Sequence, residues 1–268
     1  MRTVRGLPTL DPVEVGDHVC WLVGPGDDFS GTARAFTADG ALVGDKVLIL
    51  GAVEASGSPD PSAKSARSDT SGASSTSGPI LGRVRREAET ASREGFRALR
   101  VLARMDQFSA DRAGPDAAAR HELTLDALVA LGGTIVVCAY HRTGFGAAIL
   151  DQVASVHPHH LGTGSVGPAF RLFSTGRTDS WSVSGLVDSE GATAFGTAMR
   201  ELLSTCGTVR LDCENLEWMD AAGMTALAQS ARCFPGRQVV LSRTNETVRR
   251  VWGLLGYDSP LVPVELGR

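Results

Sequence analysis

Hydrophobic positions along the chain fall into two patterns. His18–Val23 (HVCWLV), Lys46–Leu50 (KVLIL) and Thr134–Tyr140 (TIVVCAY) are apolar at nearly every position. Strands that are apolar without alternation are covered on both faces. Phe96–Ala103 is strand-like too. Helical patterns lie between these runs, at Phe29–Leu42, Val84–Gly95, Asp116–Leu131 and Gly146–Val156. The clearest is 116–131, where Ala118, Leu123, Leu125, Leu128 and Leu131 recur at helical intervals. Strands alternating with helices predict an α/β fold with a parallel sheet between helices.

The second half predicts a smaller α/β unit. Ala169–Thr175 and Trp181–Val187 are expected to pair across a turn near Gly176. Ser189–Cys206 reads as a helix with Ala192, Phe195, Met199 and Leu203 on one face. Thr208–Cys213 follows as a strand, and Ala221–Cys233 as a helix stopped by Pro235 and Gly236. Gln238–Ser242 is a strand, and Glu246–Leu255 a helix ended by Gly256.

Two stretches break the pattern. Residues 55–79 are rich in Ser, Gly, Ala, Thr and Pro, with no hydrophobic periodicity. Such a segment buries too little surface to offset its conformational entropy and is expected to be a disordered insert. The glycine-rich stretch His160–Pro168 reads as a connection between domains. The expected division is therefore 1–161, a linker at 162–168, and 169–268.

Composition narrows the function. The chain has 268 residues, enough for two domains of about 100 to 200 residues each. Net charge is −4 and the basic residues are scattered, which argues against nucleic acid as a partner. No apolar run approaches the roughly 20 residues that span a bilayer, so no membrane is expected. Met1–Val15 is polar and lacks the pattern of a secretory signal. Cys20, Cys138, Cys206, Cys213 and Cys233 stand singly, as expected of reduced, mostly buried thiols in a cytoplasmic protein.

The densest signal is Leu211–Met224, which reads as a strand, a tight acidic loop and a helix start. Asp220 fits an N-cap, its carboxylate accepting a backbone N–H of the next turn. The span 170–266 resembles the STAS domain, the module of anti-sigma factor antagonists. The resemblance is carried by Gly185–Asp188, Val209–Asp212, Leu216–Met224 and Val248–Gly256. In antagonists of that family the residue after the loop aspartate is a serine, phosphorylated by an anti-sigma factor kinase. A phosphate there adds nearly two negative charges at the docking surface and prevents docking. Here Ala221 and Ala222 follow Asp220, and neither accepts a phosphoryl group. The domain then either binds its partner constitutively or keeps the fold for another contact. The expected docking residues are Trp218, Asp220, Ala221, Ala222, Gly223 and Met224, with core packing as the alternative for Trp218 and Met224.

The span 18–160 resembles the MEDS sensory domain. His18–Leu22, Gly40–Leu50, Gly95–Val101, Val137–His141, Phe145 and His157–Pro158 carry the resemblance. The insert replaces a strand and helix normal to that family, whose architecture is similar to RecA-like ATPases. The expectation is a RecA-like parallel sheet without a Walker loop. The candidate phosphate loop, Gly24–Thr32, lacks the required lysine and places Asp27 and Asp28 where phosphate would sit. If a small molecule binds at the carboxyl ends of the strands, Cys20, Trp21, Glu54, Arg100, Tyr140 and His141 are the candidate pocket residues.

No cofactor is expected. His157, His159 and His160 form the densest histidine cluster, with His18, Cys20, Cys138 and His141 elsewhere. No pair has usual zinc-ligand spacing, so buried, satisfied side chains are expected of His18 and Cys138, and a solvated linker of His159 and His160. Asp106–Asp111, Glu122 and Asp126 supply carboxylates without a visible companion base. The expectation is a non-catalytic signalling regulator whose partner is a protein, an anti-sigma factor or related kinase being the family's. The alternative is a small-molecule or nucleotide sensor in which the STAS domain is only a scaffold.

Overall fold

A computed structural model describes residues 2–51, 67–69, 78–108, 114–162 and 167–267. Among these, one sheet has seven strands: β1 (Arg5–Leu7), β2 (His18–Val23), β3 (Lys46–Leu50), β4 (Arg67–Asp69), β5 (Leu99–Arg104), β6 (Thr134–His141) and β7 (His159–Leu161). Their order is β1-β7-β2-β6-β5-β3-β4, and every pair is parallel. Helices cover both faces, as continuous apolar strands require. α1 (Phe29–Leu42) packs Phe36 over Val19, Trp21, Val47 and Leu102. α2 (Gly78–Arg93), α3 (Gly114–Ala130) and α4 (Ala147–Ser155) cover the opposite face, over Cys20, Val101, Val136 and Cys138.

The second sheet has five strands in the order β12-β11-β10-β9-β8. They are β8 (Phe170–Ser174), β9 (Ser180–Val187), β10 (Thr208–Met219), β11 (Gln238–Ser242) and β12 (Val264–Leu266). β8 and β9 are antiparallel, and the remaining pairs are parallel. α5 (Ala192–Thr205), α6 (Ala221–Arg232) and α7 (Glu246–Leu254) pack against it. The expected fold class holds: a parallel sheet flanked by helices, then a smaller α/β unit.

Three expectations are corrected. His159 and His160 belong to β7 rather than to a solvated linker. His159 is buried between Arg5 and Val19 in the sheet register, with Nε2 3.1 Å from Asp17 Oδ1. Within 55–79, Arg67–Asp69 pairs with β3 and Gly78 opens α2. The rest of that segment and Glu54 lie outside the described residues. The acidic loop after Cys213 is also strand: β10 continues to Met219 against β9, with register shifts between Asp212 and Asn215 and between Leu216 and Trp218. Such bulges add a residue without ending a strand. They let Leu216 and Met219 both reach the core. Opposite them Gly185 adopts φ +82°, where a Cβ would strike the Ala169 carbonyl oxygen.

α3 is shared between the two units. Leu123 from α3 and Val156 after α4 are part of the same apolar cluster as Trp181, Met199 and Leu202. Polar contacts lock this seam. Arg120 Nε donates to Glu201 Oε2 at 2.6 Å. The Ser174 N–H donates to Asp126 Oδ2 at 2.6 Å. Arg171 donates to the carbonyls of His157 and Ala154. Truncating Leu123 leaves a cavity where α3 meets the second unit. Leu123→Ala is expected to cost about 2–5 kcal/mol in urea unfolding, and Leu131→Ala, at a side chain 74% exposed, no more than about 0.5 kcal/mol.

Candidate functional site

The junction of β10 and α6 has the expected cap. The Asp220 carboxylate accepts the Gly223 N–H at 2.9 Å. Ala221 is exposed and carries no hydroxyl. Thr225, one turn on, donates to the Ala221 carbonyl and lies 2.9 Å from the Tyr257 hydroxyl. Trp218 is 43% exposed, which removes the core-packing alternative for it. Its cross-strand neighbour Leu186 is 40% exposed. Leu186 was not foreseen, although it shares the register of Ser180, Ser182 and Ser184, opposite to buried Trp181, Val183 and Val187, and that alternation was the available signal. Two expected docking residues face inward instead. Met224 is fully buried with Leu227 and Ala228. Gly223 is buried so closely that a Cβ would lie 2.7 Å from the Val187 carbonyl oxygen. The exposed candidates are therefore Trp218, Leu186 and Ala221, with Asp220 and Ala222 half-buried beside them.

The expected pocket residues of the first sheet do not share one site. Successive strand side chains point to opposite faces. Cys20 and Tyr140 lie under α3 and α4, whereas Trp21 lies on the α1 face. Arg100 sits at the amino end of β5, donating to Asp45 Oδ2 at 3.0 Å with its guanidinium over Phe36. A cavity of about 650 Å³ does open at the carboxyl ends of β1, β2, β6 and β7. Trp21, Leu10, Asp27, Asp28, Arg142 and Leu161 are among its walls. Trp21 stacks on Phe29, which also contacts His141. The loop Gly24–Thr32 uses its own carboxylates: Asp27 accepts the Gly24 N–H at 2.7 Å, and Asp28 the Gly31 N–H at 2.8 Å. The amides that would cradle a phosphate are thus partnered by anions, in accord with the missing lysine.

Beneath the opposite face lies a buried polar cluster. Glu122 Oε1 accepts the Tyr140 hydroxyl. Glu122 Oε2 lies 3.2 Å from His18 Nε2, 3.2 Å from His157 Nε2 and 3.4 Å from Cys138 Sγ. Cys138 Sγ is 3.5 Å from His18 Nε2. One turn along α3, Asp126 lies 3.3 Å from His18 Nδ1 and is paired with Arg2 at 2.7 Å. Sequence spacing did not show this convergence, since its members span residues 2 to 157. The available signal was Glu122 itself, on the same stripe of α3 as Ala118, Leu125 and Val129.

Burial opposes ionisation of both carboxyls, yet both are held low. The close approach of His157, then of His18, keeps Glu122 well below the usual range. Arg2, then His18, bring Asp126 to about 2. Burial also works against a charged His18, but hydrogen bonds to Asp126 and Glu122 raise it. Burial, with the neighbouring His18, lowers His157. Burial and the Glu122 charge push Cys138 and Tyr140 well above their ordinary values.

A parallel sheet with a capped STAS-like unit beside it defines a modular α/β protein. Residues 17–158, more than half of the chain, match the family described as MEDS, the methanogen/methylotroph DcmR sensory domain, and the chain belongs to that family. Residues 171–263 match the Mlab STAS domain. No curated protein matches the chain. A solved structure described as "Structure of the Anti-Sigma Factor Antagonist SpoIIAA in its Unphosphorylated Form" is 16% identical, with a TM-score of 0.30, covering 37% of this chain and 88% of that one. No helix among the described residues is long and apolar enough to cross a membrane.

Removing the cap or crowding the helix start has separable costs. Asp220→Ala is expected to destabilise the protein by about 0.5–2 kcal/mol in denaturant titration. Gly223→Ala forces a methyl group against the Val187 backbone and is expected to cost about 1–3 kcal/mol. Because Asp220 is part of the exposed site and Gly223 is not, only the first change also alters the surface.

Proposed function

We propose that the protein is a non-catalytic signalling regulator that docks a protein partner through the start of α6. On this reading residues 169–268 are an anti-sigma factor antagonist-like STAS module. Residues 1–161 are a sensory module, and 162–168 join them. The observation that carries the proposal is the exposed Ala221 beside a formed Asp220 cap and the exposed pair Trp218 and Leu186. An aromatic anchor flanked by apolar and polar atoms has the composition of a protein-binding hot spot. A methyl group at Ala221 cannot carry a phosphate, so docking is not switched covalently there. Control passes instead through α3, which packs against both the first sheet and α5.

The partner we infer is an anti-sigma factor or related kinase of cytoplasmic location, as the STAS match supports. Affinity purification of the full chain is expected to recover it. Ala221→Glu adds a carboxylate at a helix N-terminus, which the helix dipole tolerates, and Trp218→Ala removes the anchor. Each is expected to lower recovery at least about tenfold, the effect of about 1.4 kcal/mol. Unchanged recovery with both variants folded would remove the surface from consideration.

The cavity at the carboxyl ends of the first sheet favours a second reading, a sensor of a small molecule or nucleotide. A thermal-shift screen of the full chain tests it. A ligand that raises the transition temperature of the wild type but not of Trp21→Ala supports this reading, and no shift across the screen counts against it.

A further inference from the structure

We propose that His18, Glu122, Cys138 and His157 form a closed four-ligand zinc site between the first sheet and the helices α3 and α4. The four ligand atoms lie within 4.8 Å of one another, and all four side chains are buried. A tetrahedral zinc with bonds of about 2.0–2.2 Å to N and O and about 2.3 Å to S has ligand–ligand edges of roughly 3.3–3.6 Å. Four of the six edges, 3.2, 3.2, 3.4 and 3.5 Å, are close to this size without any metal to impose it.

Orientation of the rings points the same way. His157 Nδ1 lies 2.7 Å from the Val153 carbonyl oxygen, which only accepts. Nδ1 therefore bears the hydrogen, and Nε2 has no hydrogen-bond partner although it is fully buried. Its lone pair faces Glu122 Oε2 across 3.2 Å. With a neutral His157, two electron-pair donors at that distance repel unless a proton or a metal ion stands between them. His18 is held similarly, with Nδ1 toward Asp126 and Nε2 toward the cluster. Asp126, Tyr140 and the Val153 carbonyl supply the outer partners that orient metal ligands.

The donor set selects the ion. One thiolate, two imidazoles and one carboxylate suit zinc, whereas magnesium and calcium take oxygen donors. Thiolate and carboxylate together balance two positive charges, so the buried site is neutral when filled. All four positions come from the protein, which is the arrangement of a structural site rather than of one holding a reactive water. The ligands come from β2, α3, β6 and the turn after α4. Zinc would therefore tie to the sheet the two helical segments that contact the second unit. The inference does not depend on the docking reading.

The test is metal analysis of the full chain purified without chelator. About one zinc per chain is expected, because a buried four-ligand site is stoichiometric. Replacement by Co²⁺ is expected to give the visible bands of four-coordinate cobalt and a thiolate-to-cobalt band in the near ultraviolet. Cys138→Ser is expected to remove the thiolate band, and Cys233→Ser, at an exposed position, to keep it. Glu122→Gln preserves shape and is expected to lower zinc content, with circular dichroism verifying the fold. The wild-type measurements stand even where a variant fails to fold. A folded wild-type chain that contains no zinc and takes up neither ion on titration would overturn the site. So would a thiolate band unaffected in folded Cys138→Ser protein.

Discussion

Glu122 and Asp126 are two carboxylates on one helix with no access to water, and much of the architecture follows from how they are compensated. Burying an ion costs several kcal/mol unless charge and hydrogen bonds replace its hydration. No single element supplies enough partners. Tyr140 comes from β6, His18 from β2, His157 from beyond α4, Arg2 from the N-terminal segment and the Ser174 amide from β8. All of them converge on α3, so the polar cluster adds to apolar packing in fixing the register of the helix.

The other side of the same helix is apolar where it meets the second unit. Leu123 enters a core built from Trp181, Met199 and Leu202, and Arg120 pairs with Glu201 at its edge. The helix thus packs its buried polar face on the first sheet and its apolar face on α5. Packed atoms of this kind give the proposed control of the docking surface a physical route. The proposed docking surface lies at the far end of the second sheet. It is shaped by the bulged end of β10, which turns Trp218 outward while keeping Leu216 and Met219 in the core.

Legibility in the sequence followed the range of the interactions. β2, β3 and β11 were placed at their observed bounds, since a short run of apolar residues in a covered strand needs no distant information. The Asp220 cap was legible for the same reason: its hydrogen bond closes within three residues. β1, β4, β7 and β12 were missed. Each has three residues, too few for a pattern; β4, β7 and β12 form on the edges of longer strands, and β1 forms on β7. The strand character of Glu214–Met219 was hidden by its bulges, which break period-two alternation. The proposed pocket set failed as a set because strand alternation divides Trp21 from Cys20, a step the sequence itself contained.

The sequence by itself determined the α/β class, the order of most elements and the absence of a hydroxyl at Ala221, all of which rest on local periodicity and residue chemistry. Tertiary structure alone decided that His18, Glu122, Cys138 and His157 meet, that Met224 is core while Trp218 is surface, and that α3 serves two units. Those outcomes depend on parallel strand order and helix placement. Residues more than a hundred positions apart become neighbours only when desolvated charges and apolar faces are satisfied together.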